Sequence, residues 1–65
     1  MKPKILQEFD RLQEGESMVI SNESNPFILY YQLLDDRGDS FSWEYLEKGP
    51  QKWRVRIRKR FNSVK

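Results

Sequence analysis

The chain has 65 residues, with no cysteine and no histidine. That length allows one domain on one small core. The two absences remove disulfides, thiolate and imidazole chemistry, and most zinc-site designs. Twelve basic and ten acidic residues leave a net charge of +2, and no apolar run approaches a membrane span or a secretory signal. The chain therefore reads as a soluble cytoplasmic domain with no cofactor, no metal and no membrane partner.

The charge is unevenly placed. Every acidic residue lies at or before Glu47, and every charged residue after it is basic, from Lys48 to Lys65. Such asymmetry marks either an anion-binding face or two complementary parts of one domain.

Met1 to Leu12 is predicted helical. Pro3 suits a first helical turn, where its missing N–H costs nothing. Ile5, Phe9 and Leu12 follow i, i+4, i+7 spacing, and Leu6 widens the stripe. Gly15 suits the end of that segment. Glu16 to Ser21 reads as a short strand, with Met18 and Ile20 inward and Ser17, Val19 and Ser21 outward. Asn22 to Asn25 is rich in turn formers. This loop leads into a helix N-terminus, a generic anion site. Asn25 followed by Pro26 predicts an N-cap and a first helical position. The helix runs to about Asp35 or Asp36, with Gly38 closing it. Phe27 to Leu34 is almost continuously apolar, so periodicity alone does not separate helix from strand here; the Asn-Pro start and the Gly stop decide for helix. Two acids at its C-terminal end oppose the helix dipole and predict fraying.

Phe41 to Arg58 reads as a β-hairpin. Phe41, Trp43 and Tyr45 alternate with Ser42, Glu44 and Leu46; Trp53, Val55 and Ile57 alternate with Arg54, Arg56 and Arg58. The apolar residues are odd-numbered on both arms, so a plain hairpin needs an odd-numbered loop. Three residues, Lys48-Gly49-Pro50, would set Tyr45 opposite Trp53, Trp43 opposite Val55 and Phe41 opposite Ile57. The polar face would then pair Glu44 with Arg54 and Leu46 with Lys52. Alternation places both tryptophans on the covered face, as core. Arg60 to Lys65 carries no pattern, and residues 61–65 read as a loose tail to a single domain over residues 1–60.

The order helix, strand, helix, strand, strand predicts an α+β two-layer sandwich. The second helix crosses between two strands, and a right-handed crossover leaves room for one strand between them. The C-terminal strand fills that place, antiparallel to both neighbours. Both helices then lie on one face of a three-stranded antiparallel sheet with the C-terminal strand central.

G-E-S at Gly15–Ser17, L-Y-Y-Q-L at Leu29–Leu33, F-S-W-E-Y-L at Phe41–Leu46, G-P at Gly49–Pro50 and W-R-V-R-I at Trp53–Ile57 resemble a family of uncharacterised bacterial domains. That family is often fused to, or encoded beside, hemerythrin-like and denitrification-related proteins, and belongs with the TusA/SirA-like fold. The resemblance covers almost the whole chain from Pro3 onward, and the hairpin is its most specific part. The family pattern opens with a further strand of the type L-D-V-R, which this sequence lacks. Its two histidines correspond here to Lys2 and Ser24, so the resemblance implies that any ligand of those histidines is lost. TusA-type sulfur carriers need a cysteine at the start of the first helix; the sequence has none, which excludes sulfur transfer.

The residues point to no enzyme. Glu44 and Glu47 lack a neighbour that would raise one carboxyl pKa, and Tyr30 and Tyr31 read as core and boundary. The expected function is a non-catalytic interaction domain, binding an acidic protein partner or a second copy of itself. Lys52, Arg54, Arg56 and Arg58 would form the basic binding row, about 7 Å apart along one sheet face. An open edge at Ser17, Val19 and Ser21 would pair with another strand, giving a homodimer or strand addition. Nucleic acid is the second choice of partner for the basic row, because no aromatic is interleaved there for base stacking.

Overall fold

The computed structural model describes residues 4–60. Five elements follow in order: α1 (Lys4–Arg11), β1 (Ser17–Asn22), α2 (Phe27–Arg37), β2 (Phe41–Lys48) and β3 (Trp53–Lys59). The sheet order is β1-β3-β2, with both pairings antiparallel. This is the expected α+β architecture with the last strand central. The roles read for Pro3 and for residues 61–65 lie outside the described residues.

The core forms where the two stripes meet the sheet. Leu6 and Phe9 from α1, Leu33 from α2, Phe41 from β2, and Val55 and Ile57 from β3 are buried. Ile5, Leu12, Met18, Ile20, Tyr30, Trp43 and Tyr45 pack around them, partly buried. Each fully buried aliphatic or aromatic side chain stabilises the fold by roughly 1.5–3 kcal/mol relative to exposure. The phenyl edges of Phe9 and Phe41 meet at 82°, centroids 6.1 Å apart, joining α1 to the start of β2.

The two tryptophans sit further out than alternation suggests. Trp43 is half-buried against the core. Trp53 is half-buried at the hairpin end, where it packs edge-on against Tyr45, centroids 6.0 Å apart, and lies under Gly49. A Cβ at Gly49 would come within 2.6 Å of the Trp53 indole. The hairpin end therefore needs a residue with no side chain, and one that accepts a φ of +39°.

The hairpin register differs from the plain three-residue loop. Lys48 lies opposite Trp53, so the loop holds Gly49, Pro50, Gln51 and Lys52. The Gly49–Pro50 peptide is cis, and Gly49 N–H donates to the Lys52 carbonyl at 2.8 Å. An even-numbered loop alone would turn one arm's apolar set outward. A β-bulge at Leu46 adds the missing residue, so that Glu47 faces Arg54 while Tyr45 faces Val55. Trp43 therefore faces Ile57 and Phe41 faces Lys59. The inward set is the expected one; each β2 residue is displaced two positions along β3.

The start of α2 also differs. The helix begins at Phe27, with Pro26 at the cap position and no side-chain cap bond. The Asn25 side chain is used elsewhere: its Oδ1 accepts a 2.8 Å hydrogen bond from the Tyr45 hydroxyl. At the other end α2 runs through both acids to Arg37, one or two residues past the expected end, and Gly38 follows as expected. Gly38, at φ +61°, then donates its N–H to the Leu34 carbonyl at 2.9 Å.

Lys59 closes α1. It occupies an inward position of β3, and its Nζ donates to the carbonyls of Leu12 at 2.8 Å and Asp10 at 3.2 Å. A cation at the end of a helix satisfies carbonyls that have no intrahelical partner and complements the dipole. The ammonium also lies 5.1 Å from the Phe9 ring centroid.

Candidate interaction face

Helix α2 is apolar on more than the side that meets the core. Leu33 is fully buried, yet Phe27 is 50% exposed, Tyr31 60%, Leu34 40% and Ile28 62%. Phe27, Tyr31 and Leu34 are spaced i, i+4, i+7 and form one outward stripe. Such a stripe is costly to leave in water and is characteristic of a contact surface.

The stripe borders a cleft of about 490 Å³ between α2 and β2. The helix side is Phe27, Tyr30, Tyr31 and Leu34; the strand side is Phe41, Ser42, Trp43 and Tyr45. Phe41, Trp43 and Tyr45 point toward the helices, whereas Ser42 points to the opposite sheet face. The cleft therefore wraps the free edge of β2. Among the described residues no strand pairs with that edge. Asp39 and Arg60 also line the cleft.

The rings here form a continuous set of edge-to-face contacts. Phe27 meets Tyr31 at 6.4 Å, Tyr31 meets Tyr30 at 5.3 Å, and Tyr30 meets both Phe41 at 5.9 Å and Trp43 at 5.3 Å. Trp43 meets Tyr45 at 6.2 Å. Each such pair contributes about 0.5–1.5 kcal/mol beyond burial. Trp43 Nε1 is buried with no acceptor among the described residues.

A smaller cleft of about 410 Å³ lies on the other flank of α2, beside β1. Ile20, Pro26, Ile28 and Leu29 line it together with Ser21, Asn22, Asn25 and Gln32, and no aromatic side chain lines it. β1 is an edge strand, as expected, with Ser17, Val19 and Ser21 outward and opposite Arg58, Arg56 and Arg54.

The sheet face away from the helices carries three of the four expected cations in a row. Arg54, Arg56 and Arg58 alternate outward from β3, and Lys52 lies in the hairpin loop instead. The register decides how much charge remains. Arg56 Nη1 donates to Glu44 Oε1 at 3.1 Å, in place of the expected Glu44–Arg54 pair. Glu47 falls opposite Arg54. Arg58 alone among the three has serine on both neighbouring strands, Ser17 and Ser42.

Among the described residues no group of three or more His, Cys, Asp or Glu side chains could hold a metal ion, and no helix is long and apolar enough to cross a membrane. Arg37 has its pKa raised by its hydrogen bonds to Asp10.

The sequence points to the arginine row and the β1 edge, assigns Tyr31 to core or boundary, and singles out neither Phe27 nor Leu34 as a site residue. Their signal was present: apolar content around the whole of an 11-residue helix, more than one core-facing stripe needs.

The fold and this face define a small two-layer α+β domain with an uncovered apolar helix flank beside an open strand edge. The chain belongs to the family of uncharacterized conserved proteins named DUF2249, whose sequence model matches residues 2–59. No curated protein and no solved structure matches it.

Proposed function

We propose that this chain is a non-catalytic interaction domain that binds protein through the α2–β2 face. One observation carries the reading: Phe27, Tyr31 and Leu34 form an exposed stripe directly above an unpaired strand edge. Apolar side chains supply affinity when water is removed from them, and an open edge supplies directional backbone hydrogen bonds. The two lie side by side, joined through edge-to-face ring contacts from Phe27 to Trp43.

An acidic partner on the arginine row is the weaker reading. Glu44 and Glu47 sit beside two of the three arginines, which lowers the attraction for an acidic protein or a nucleic acid alike.

The test is position-dependent photocrosslinking in cells. The photoreactive amino acid p-benzoylphenylalanine is placed at Tyr31 in one variant and at Arg58 in another. Protein adducts at Tyr31 but not at Arg58 are expected. Adducts confined to Arg58, or nucleic-acid adducts there, would transfer the function to the outer sheet face and overturn the proposal.

A further inference from the structure

We infer that the occupant of the α2–β2 cleft is a second copy of this chain, joined by antiparallel pairing of β2 with β2 about a two-fold axis through Trp43. The inference rests on the reading of this face as a protein contact and specifies the partner.

The cleft sets the chemistry of its occupant. Along the β2 edge it asks for an extended strand with large apolar side chains at alternate positions on the helix side and polar ones on the other. β2 itself has that pattern, Phe41, Trp43 and Tyr45 against Ser42 and Glu44, and it presents a free edge. Above the strand the cleft asks for an apolar cover. A two-fold brings the exposed Phe27, Tyr31 and Leu34 of each copy toward those of the other. A surface that is its own complement is what an isologous interface requires.

Parity and charge then select the register. Residues directly opposite in an antiparallel pair share a face, so the axis must pass through a residue position. The bulge at Leu46 ends the regular part of β2, leaving Phe41 to Tyr45, whose midpoint is Trp43. An axis there sets Phe41 opposite the second copy's Tyr45 and Ser42 opposite its Glu44. An axis through Glu44 would set two carboxylates against each other, which destabilises a pair.

The domain also gains by it. Six hydrophobic side chains are buried among the described residues, and a core of that size contributes little net stability alone. The chain has no cysteine for a disulfide. Pairing two copies enlarges the buried apolar surface and removes one exposed strand edge per copy. The β1 side offers less: of the exposed apolar side chains of α2, Ile28 alone lines that cleft, whereas Phe27, Tyr31 and Leu34 all line the β2 side.

Two measurements on the whole chain test this. In sedimentation from micromolar to millimolar concentration, a dimer is expected. Tyr31→Asp should weaken it by at least about 30-fold, as loss of a central interface anchor does, while Ile28→Asp should leave it unchanged. For the register, Ser42→Cys and Glu44→Cys chains are oxidised separately and as an equimolar mixture. The mixture alone should form a covalent dimer, because positions 42 and 44 are opposite each other and each is too far from its own copy for a disulfide. This second measurement leaves the helix face unaltered and stands even if Tyr31→Asp fails to fold. A wild-type monomer at millimolar concentration, a dimer broken by Ile28→Asp instead, or equal crosslinking of a single variant would each overturn the inference. A monomer that still gives Tyr31-specific adducts to another protein in cells would overturn the second copy alone and leave the protein-contact reading standing.

Discussion

Arg37 holds Asp10 with two parallel hydrogen bonds, 2.8 Å from Nε and 2.7 Å from Nη2, tying the last turn of α2 to the end of α1. The carboxylate and the guanidinium are both partly exposed, so the pair is weaker than its geometry suggests. Asp10→Asn is expected to cost about 0.2–1 kcal/mol in urea unfolding, with the difference shrinking as salt is added. The Arg37 pKa is raised above the ordinary guanidinium range, chiefly by the Asp10 hydrogen bond. A raised pKa means the guanidinium's contribution is complete below the unfolded-state pKa and is lost only as pH rises through the still higher folded-state value. Titration of Arg37 should therefore leave stability unchanged between pH 6 and 10, and a loss across that window in wild type but not in Arg37→Gln would contradict the assignment.

Lys59 offers a sharper contrast, because its ammonium sits among carbonyls rather than beside a carboxylate. Lys59→Met keeps most of the buried stem and removes the charge. It should cost about 1 kcal/mol and raise hydrogen exchange at the end of α1 more than elsewhere. Uniform change along the chain would show that Lys59 does not close that helix.

Gly49 and Gly38 both have positive φ but differ in surroundings. An added Cβ at Gly38 meets nothing within 4 Å, whereas at Gly49 it meets the Trp53 indole at 2.6 Å. Gly38→Ala should cost about 1 kcal/mol from backbone conformation alone. Gly49→Ala should cost more, about 1–3 kcal/mol, and should change Trp53 fluorescence. Equal costs would mean that the indole gives way freely.

Tyr45 and Asn25 make the third contrast. Tyr45→Phe and Asn25→Ala are each expected to cost about 0.5–1.5 kcal/mol, and the double variant should cost little more than either alone. Additive effects would assign Asn25 an independent role at the helix start.

The element order, the strand order and the inward faces were all legible in the sequence. Alternation in the hairpin and the i, i+4, i+7 stripe of α1 each point to one burial pattern. The register was not legible, because two solutions keep Phe41, Trp43 and Tyr45 inward: an odd-numbered loop, or an even-numbered loop with a bulge. Parity cannot tell them apart; the packing of Trp53 against Gly49 can, and it is a three-dimensional contact. The same shift explains the arginine row. The row itself was visible, but whether Glu47 stands beside Arg54 depends on the bulge. Asn25 before Pro26 has the composition of a cap, and a hydroxyl 20 residues away takes its side chain. The binding face was legible only in part, since the run from Phe27 to Leu34 shows apolar content without showing which flank the core leaves uncovered.

The central position of β3 governs the order in which the molecule can be made. β1 and β2 each pair with β3 and not with each other. As the chain emerges from the ribosome, the first four elements have no sheet to complete, and their apolar faces stay in water until Trp53 to Lys59 has cleared the exit tunnel. Every strand pairing of this sheet therefore waits on β3. Sheet formation is thus a single late step rather than a progressive one, and a chain interrupted between β2 and β3 would be left as two helical segments and two strands with no sheet partner.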